Sequence, residues 1–138
     1  MKRCSLALLA VASFLAMPVH ALQIWHSNTV WVGQGQCSAS ITFDSQMEEI
    51  EDLQVVVSVF NKAGKKVKTE VLEVESLGWS NAERYTNDFL EGEEMCADDL
   101  TIVVNKANAV IAGKRTDLLK TKAITAPEFK PFKIRVSR

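Results

Sequence analysis

Few residues in this 138-residue chain have the chemistry to react or to bind metal. His26, in the segment LQIWHSNTVWVG, could serve a Ser-His-Asp arrangement, in which the imidazole takes the serine proton. That chemistry also needs a nucleophile on a sharp turn and N–H donors for the oxyanion. No nucleophile elbow or glycine-rich loop lies near His26, so a core or surface histidine is the simpler reading. Cys37, in QCSASITFDS, and Cys96, in EGEEMCADD, could act as thiols or as metal ligands. A zinc site needs more ligands than these two and His26 can offer. The acidic residues Glu91, Glu93, Glu94, Asp98 and Asp99 are oxygen-rich, but their spacing does not match the common calcium loop. They read as a solvated loop. No phosphate-binding glycine loop occurs. We therefore expect no catalytic residue, no metal site and no cofactor.

The N-terminal stretch MKRCSLALLAVASFLAMPVHA has the order of a secretory leader. Lys2 and Arg3 open it, an apolar run follows, and Val19-His20-Ala21 offers a small-residue cleavage site. The run is too short to span a bilayer, and no later segment could do so. The expected organisation is a signal peptide over 1–21 and one domain over 22–138, exported to the periplasm or beyond. Cleavage would leave 14 basic against 17 acidic residues, a net charge of −3. That balance argues against a nucleic-acid partner, because neutralising phosphates dominates such binding.

Export changes the reading of the cysteines. Cys37 and Cys96 are the two that survive cleavage, and an oxidising compartment allows them to pair. A loop of roughly 60 residues closed by such a bridge is worth about 4 kcal/mol in the chain-entropy model. A buried thiol pair is the competing reading.

Period-two alternation dominates the rest of the chain. In QCSASITFDS, Cys37, Ala39, Ile41 and Phe43 share one side, and polar residues take the other. LQVVVSVF (53–60) is β-branched and apolar, NKAGKK (61–66) is a turn, and VKTEVLEV (67–74) returns as a hairpin arm. AERYTNDFL (82–90) is a weaker strand candidate. CADDLTIVVN (96–105) places Cys96, Leu100, Ile102 and Val104 in one register, so both cysteines are expected to point inward from strands. AVIAGKRTDLL (109–119) suggests two arms about Ala112-Gly113. In FKPFKIRVSR, Phe132, Ile134 and Val136 alternate with Lys133 and Arg135. The prediction is an all-β fold: an antiparallel Ig-like sandwich of about seven strands with one disulfide. In the first strand Trp25 and Trp31 fall opposite Ile24, Val30 and Val32. Either a bulge near His26–Asn28 changes the register, or both faces are covered, as strand exchange between chains would allow.

Exposed aromatics are enriched where proteins bind proteins. Trp79 and Tyr85, in SLGWSNAERY, lie in a polar stretch, and Trp25 and Trp31 lie on the awkward strand. These four are the candidate interaction residues. The lysines at 65, 66 and 68, with Lys114 and Arg115, fit turns and solvent faces.

With the leader, QCSASITFDS, EGEEMCADDLTIVVNKANAVIAGKRTDLL and FKPFKIRVSR in view, the whole chain resembles the IrmA family, small secreted immunomodulatory antigens of pathogenic enterobacteria. The resemblance implies a fibronectin-III-like sandwich, a homodimer formed by strand exchange, and binding of host interleukins. It also implies that Cys37 and Cys96 form the single disulfide. It carries no residue-level binding motif. A second reading is a subunit or tip adhesin of a chaperone–usher fibre, whose Ig-like domains also carry one disulfide and borrow a strand. A secreted hydrolase using His26 is a distant third.

Overall fold

The computed structural model describes residues 22–127 and 133–136. The expected leader and cleavage site, and Phe132, lie outside the described residues. Nine strands follow in order: β1 (Leu22–Gly33), β2 (Gln36–Asp44), β3 (Ile50–Phe60), β4 (Lys66–Leu77), β5 (Tyr85–Gly92), β6 (Thr101–Ile111), β7 (Lys114–Asp117), β8 (Ile124–Thr125) and β9 (Lys133–Val136). They form two sheets, one in the order β5-β2-β1-β8 and the other β4-β3-β6-β7, with β9 also paired to β6. The first seven strands make the expected antiparallel sandwich. The two short strands depart from it, because β8 runs parallel to β1 and β9 parallel to β6.

The alternation in the sequence is the alternation of the sheets. Ala39, Ile41 and Phe43 of β2, with Leu22 and Ile24 of β1 and Leu90 of β5, are buried from the first sheet. Leu53, Val55, Val57 and Val59 of β3, Leu72 of β4, and Ile102 and Val104 of β6 meet them from the second. Burying each such side chain contributes roughly 1.5–3 kcal/mol, and moving any one strand by a residue would turn its whole set outward. The turn at Ala112-Gly113 forms as expected, with both residues at positive φ between β6 and β7.

One open alternative is decided and two local expectations are corrected. The ladder of β1 on β2 shifts between His26 and Asn28, which is the bulge alternative. Its consequence is that Trp25 pairs with outward Thr42 whereas Trp31 pairs with inward Cys37, so the two tryptophans face opposite sides of the sheet. The strand expected from residue 82 begins at Tyr85, after a 3-10 turn over Asn81–Glu83. Cys96 is not on a strand. It ends a 3-10 turn, Glu93–Cys96, and β6 begins only at Thr101, beyond Asp99 at positive φ. The Cys37–Cys96 disulfide is present, with the two Cα atoms 5.1 Å apart. It therefore ties β2 to the crossover between the sheets at one rim, and does not run between two strands through the core.

The open side between β4 and β5 is closed by polar groups. Asp88 of β5 accepts the Glu73 N–H of β4 at 2.9 Å, which occupies a donor that an edge strand would otherwise present. Lys68 of β4 reaches Glu94 at 3.0 Å and Glu70 at 3.3 Å. Burial opposes the Lys68 charge, but its bonds to Glu94 and then Glu70 prevail and hold its pKa above the ordinary lysine value. Glu94, bonded by its own backbone N–H and by Lys68, is held below the usual carboxylate range.

Candidate protein-binding surface

The outer face of the first sheet gathers groups that are scattered in sequence. Cross-strand pairing sets Tyr85 beside Asp44 and Gln23, Asn87 beside Thr42 and Trp25, and Phe89 beside Ser40 and Asn28. Tyr85 and Phe89 are each about half exposed, 53% and 49%. The rings of Trp25 and Tyr85 meet edge to face across β2, with centroids 6.3 Å apart and planes at 72°. Such pairs are worth about 0.5–1.5 kcal/mol beyond area burial and hold both rings in place.

Tyr85 is fixed from its other side. The Arg84 guanidinium carbon lies 4.9 Å from the Tyr85 ring centroid, within the range of a cation–π contact. The same guanidinium donates to Asp44 Oδ1 at 3.0 Å and Oδ2 at 3.2 Å. Asp44 is buried and also accepts the Gln46 N–H at 2.9 Å. Burial opposes its charge, yet the bonds from Arg84 and Gln46 prevail and hold it below the usual carboxylate range. Thr42 Oγ1 donates to Asn87 Oδ1 at 2.7 Å, which ties β2 to β5 in the middle of the patch.

Of the four candidate residues, the fold joins Trp25 to Tyr85. Trp79 sits in the crossover from β4 to β5, 47% exposed, at the same end of the sandwich as Tyr85. Its loop is set by Gly78, at φ +85°, where a Cβ would lie 1.7 Å from the Glu48 carbonyl oxygen. Trp31 lies toward the opposite end, on the β1–β2 hairpin beside Cys37, and is 71% exposed. Sequence reading missed Phe89 and Arg84. The signal for Phe89 was the Tyr85, Asn87, Phe89 alternation in a strand that looked weak.

The groups that suggested chemistry are placed otherwise. His26 is buried on the core side opposite Ile41, with Nε2 2.7 Å from Thr29 Oγ1, and burial pushes its pKa down. The acidic stretch is dispersed: Ser38 Oγ donates to Glu91, Glu94 pairs with Lys68, and Asp99 with Lys62. Among the described residues no group of three or more His, Cys, Asp or Glu could hold a metal ion, and no helix is long and apolar enough to cross a membrane.

Comparison with known proteins agrees with this architecture. The family model described as interleukin receptor mimic protein A matches residues 22–125. A solved structure of IrmA from Escherichia coli is similar at 26% identity, with a TM-score of 0.64, covering 80% of this chain and 93% of that one. No curated protein matches the chain.

Proposed function

The chain belongs to the IrmA family, and from that premise we propose that it is exported, loses residues 1–21, and binds a host interleukin without catalysing a reaction. The family's description as an interleukin receptor mimic supports this reading. The observation that carries it is the Trp25–Tyr85–Phe89 face of the first sheet, where the half-exposed Tyr85 ring is held by Trp25 and by Arg84 and the half-exposed Phe89 lies on the same face. Preorganised aromatics of this kind lose little entropy on binding and commonly dominate interface energy. Trp79 extends the same end of the surface.

The test is titration of the processed protein against a panel of immobilised interleukins. We expect saturable binding to at least one, weakened roughly 10- to 100-fold by Tyr85→Ala or Phe89→Ala. Absence of binding across the panel rejects the reading.

A strand-exchanged homodimer is part of the proposal. From Asn28 onward β1 pairs with β2 and, among the described residues, with no second strand. Val30, Trp31 and Val32 there are 49%, 71% and 53% exposed, an apolar load that a partner chain would cover. The solution mass decides it, with two protomers expected. The fibre-subunit reading gains no support: β9 occupies a place beside β6 in its own sheet.

A further inference from the structure

The opposite side of the sandwich, the outer face of the second sheet, has a different chemistry. Register places Lys66, Phe60, Thr101 and Lys133 side by side across β4, β3, β6 and β9. The next outward row is Thr69, Ser58, Val103 and Arg135, and the one after it is Val71, Val56 and Lys106. Four cations and no carboxylate occupy these three rows, which span about 13 Å along β3. Lys106, Lys133 and Arg135 are exposed, as is Lys66, whose ammonium lies 6.0 Å from the Phe60 ring centroid. No ion pair joins any of the four to a carboxylate of the described residues. The first acids lie one row further on, at Glu73 and Asp117.

Two of the four cations, Lys133 and Arg135, come from the closing segment FKPFKIRVSR, which in sequence carries four basic residues and no acidic one. A cleft at the edge of this face is lined by Asn61, Lys62, Asp99, Leu100, Thr101 and Lys133, and within it Asp99 pairs with Lys62 at 4.0 Å. Thr69, Thr101 and Asn105 supply neutral hydrogen-bonding groups among the cations, and Asn105 Nδ2 donates to the buried Ser58 Oγ at 2.6 Å.

We propose that this basic half-face, centred on Lys66, Lys106, Lys133 and Arg135, is a docking site for a sulfated polysaccharide. The charge is complementary to a linear polyanion lying across the strands, and Lys133 and Arg135, two residues apart on β9, stand about 7 Å apart on one side. The hydroxyl and amide groups suit a hydroxyl-rich chain. A membrane surface fits less well, because among the described residues the face offers Val56 and Val71 and no exposed Trp, Phe or Leu to enter lipid. Nucleic acid fits less well, since Phe60 is only partly exposed and no ring is open for bases to stack on. The site lies on the side away from the Tyr85 surface, so one chain could hold a cytokine and an anionic matrix together.

The experiment is heparin affinity chromatography of the processed protein, followed by titration with heparin oligosaccharide over a range of salt concentrations. Retention at about 50 mM salt, with affinity falling steeply as salt rises, is expected despite the net negative charge. Lys133→Gln with Arg135→Gln should weaken binding about tenfold and lower the log–log salt slope by about two. Adding Lys66→Gln and Lys106→Gln should abolish retention. The matched control, Lys114→Gln, Lys120→Gln and Lys122→Gln together, should leave it unchanged, and circular dichroism checks that each variant folds. Passage of the wild type through the column overturns the proposal, as does equal loss in the control. Binding to phosphatidylglycerol vesicles with none to heparin overturns it too. Tyr85→Ala should retain heparin affinity and the quadruple variant should retain interleukin binding, so the two readings fail separately.

Discussion

Arg84 grips the carboxylate of Asp44 with two nitrogens, at 3.0 and 3.2 Å, while its guanidinium lies against the Tyr85 ring. A buried acid at the end of β2 thus orients an exposed aromatic at the start of β5. Geometry of this fork kind restricts the guanidinium to one plane, which a lysine could not reproduce. The bond supports the fold and, on the proposed reading, also the binding face.

Breaking this pair should be felt in both respects. Asp44→Asn is expected to cost about 1–3 kcal/mol in urea unfolding, since it removes a charge-assisted bond at a buried position. Arg84→Lys should keep the charge yet weaken interleukin binding, because the Tyr85 ring loses its flat support. The pH dependence has a definite sign. The folded-state pKa of Asp44 is depressed, so its contribution is present above the unfolded value of about 3.9 and is lost as pH falls through the folded value. The gap between wild type and Asp44→Asn should therefore begin to narrow as pH falls below about 4 and close only below the depressed folded value.

Lys68 gives the opposite window. Its pKa is raised in the fold, so its contribution is complete below the unfolded value of about 10.4 and is lost as pH rises through the folded value. Lys68→Met should destabilise at neutral pH. The gap to wild type should close in alkali, and also in acid as the depressed Glu94 becomes protonated. Thermal unfolding across pH checks both limits.

Gly78→Ala should cost about 2–4 kcal/mol, more than a glycine in an open turn. The positive φ alone is unfavourable, and the added Cβ would strike the Glu48 carbonyl oxygen, which is backbone and cannot swing aside. Gly64→Ala, where nothing lies within 4 Å of a Cβ, is the control and should cost about 1 kcal/mol. Comparing their urea midpoints separates collision from backbone preference.

Replacing Cys37 and Cys96 with serine should lower stability by about 4 kcal/mol, the closure entropy of a loop of this length. The cysteines are 59 residues apart. Reduction should have the same effect as the double replacement, and denaturant titration with and without reductant measures it.

Much of the fold was legible because burial imposes a period of two on any strand with one face in a core. Ala39, Ile41 and Phe43, or Val55, Val57 and Val59, announce their side with no knowledge of what they will meet. The pairing of Cys37 with Cys96 followed once an oxidising compartment was expected. Register near Ser27 was legible only as a choice, a bulge or a doubly covered strand, because a bulge adds a residue without changing composition; pairing chose the bulge, and Trp25 parted from Trp31 because of it. The start of β6 was missed for a similar reason: Cys96 and Leu100 suit strand alternation, but the 3-10 turn and positive φ at Asp99 interrupt it.

What the amino-acid order determined by itself is local: which segments extend, which side of each is apolar, and which thiols can meet oxidant. Which strands became neighbours was decided by tertiary structure, because pairing joins residues far apart in sequence. That is why Trp25 found Tyr85 across β2, and why Lys66, Lys106, Lys133 and Arg135, which nothing in the sequence groups together, came to share one face.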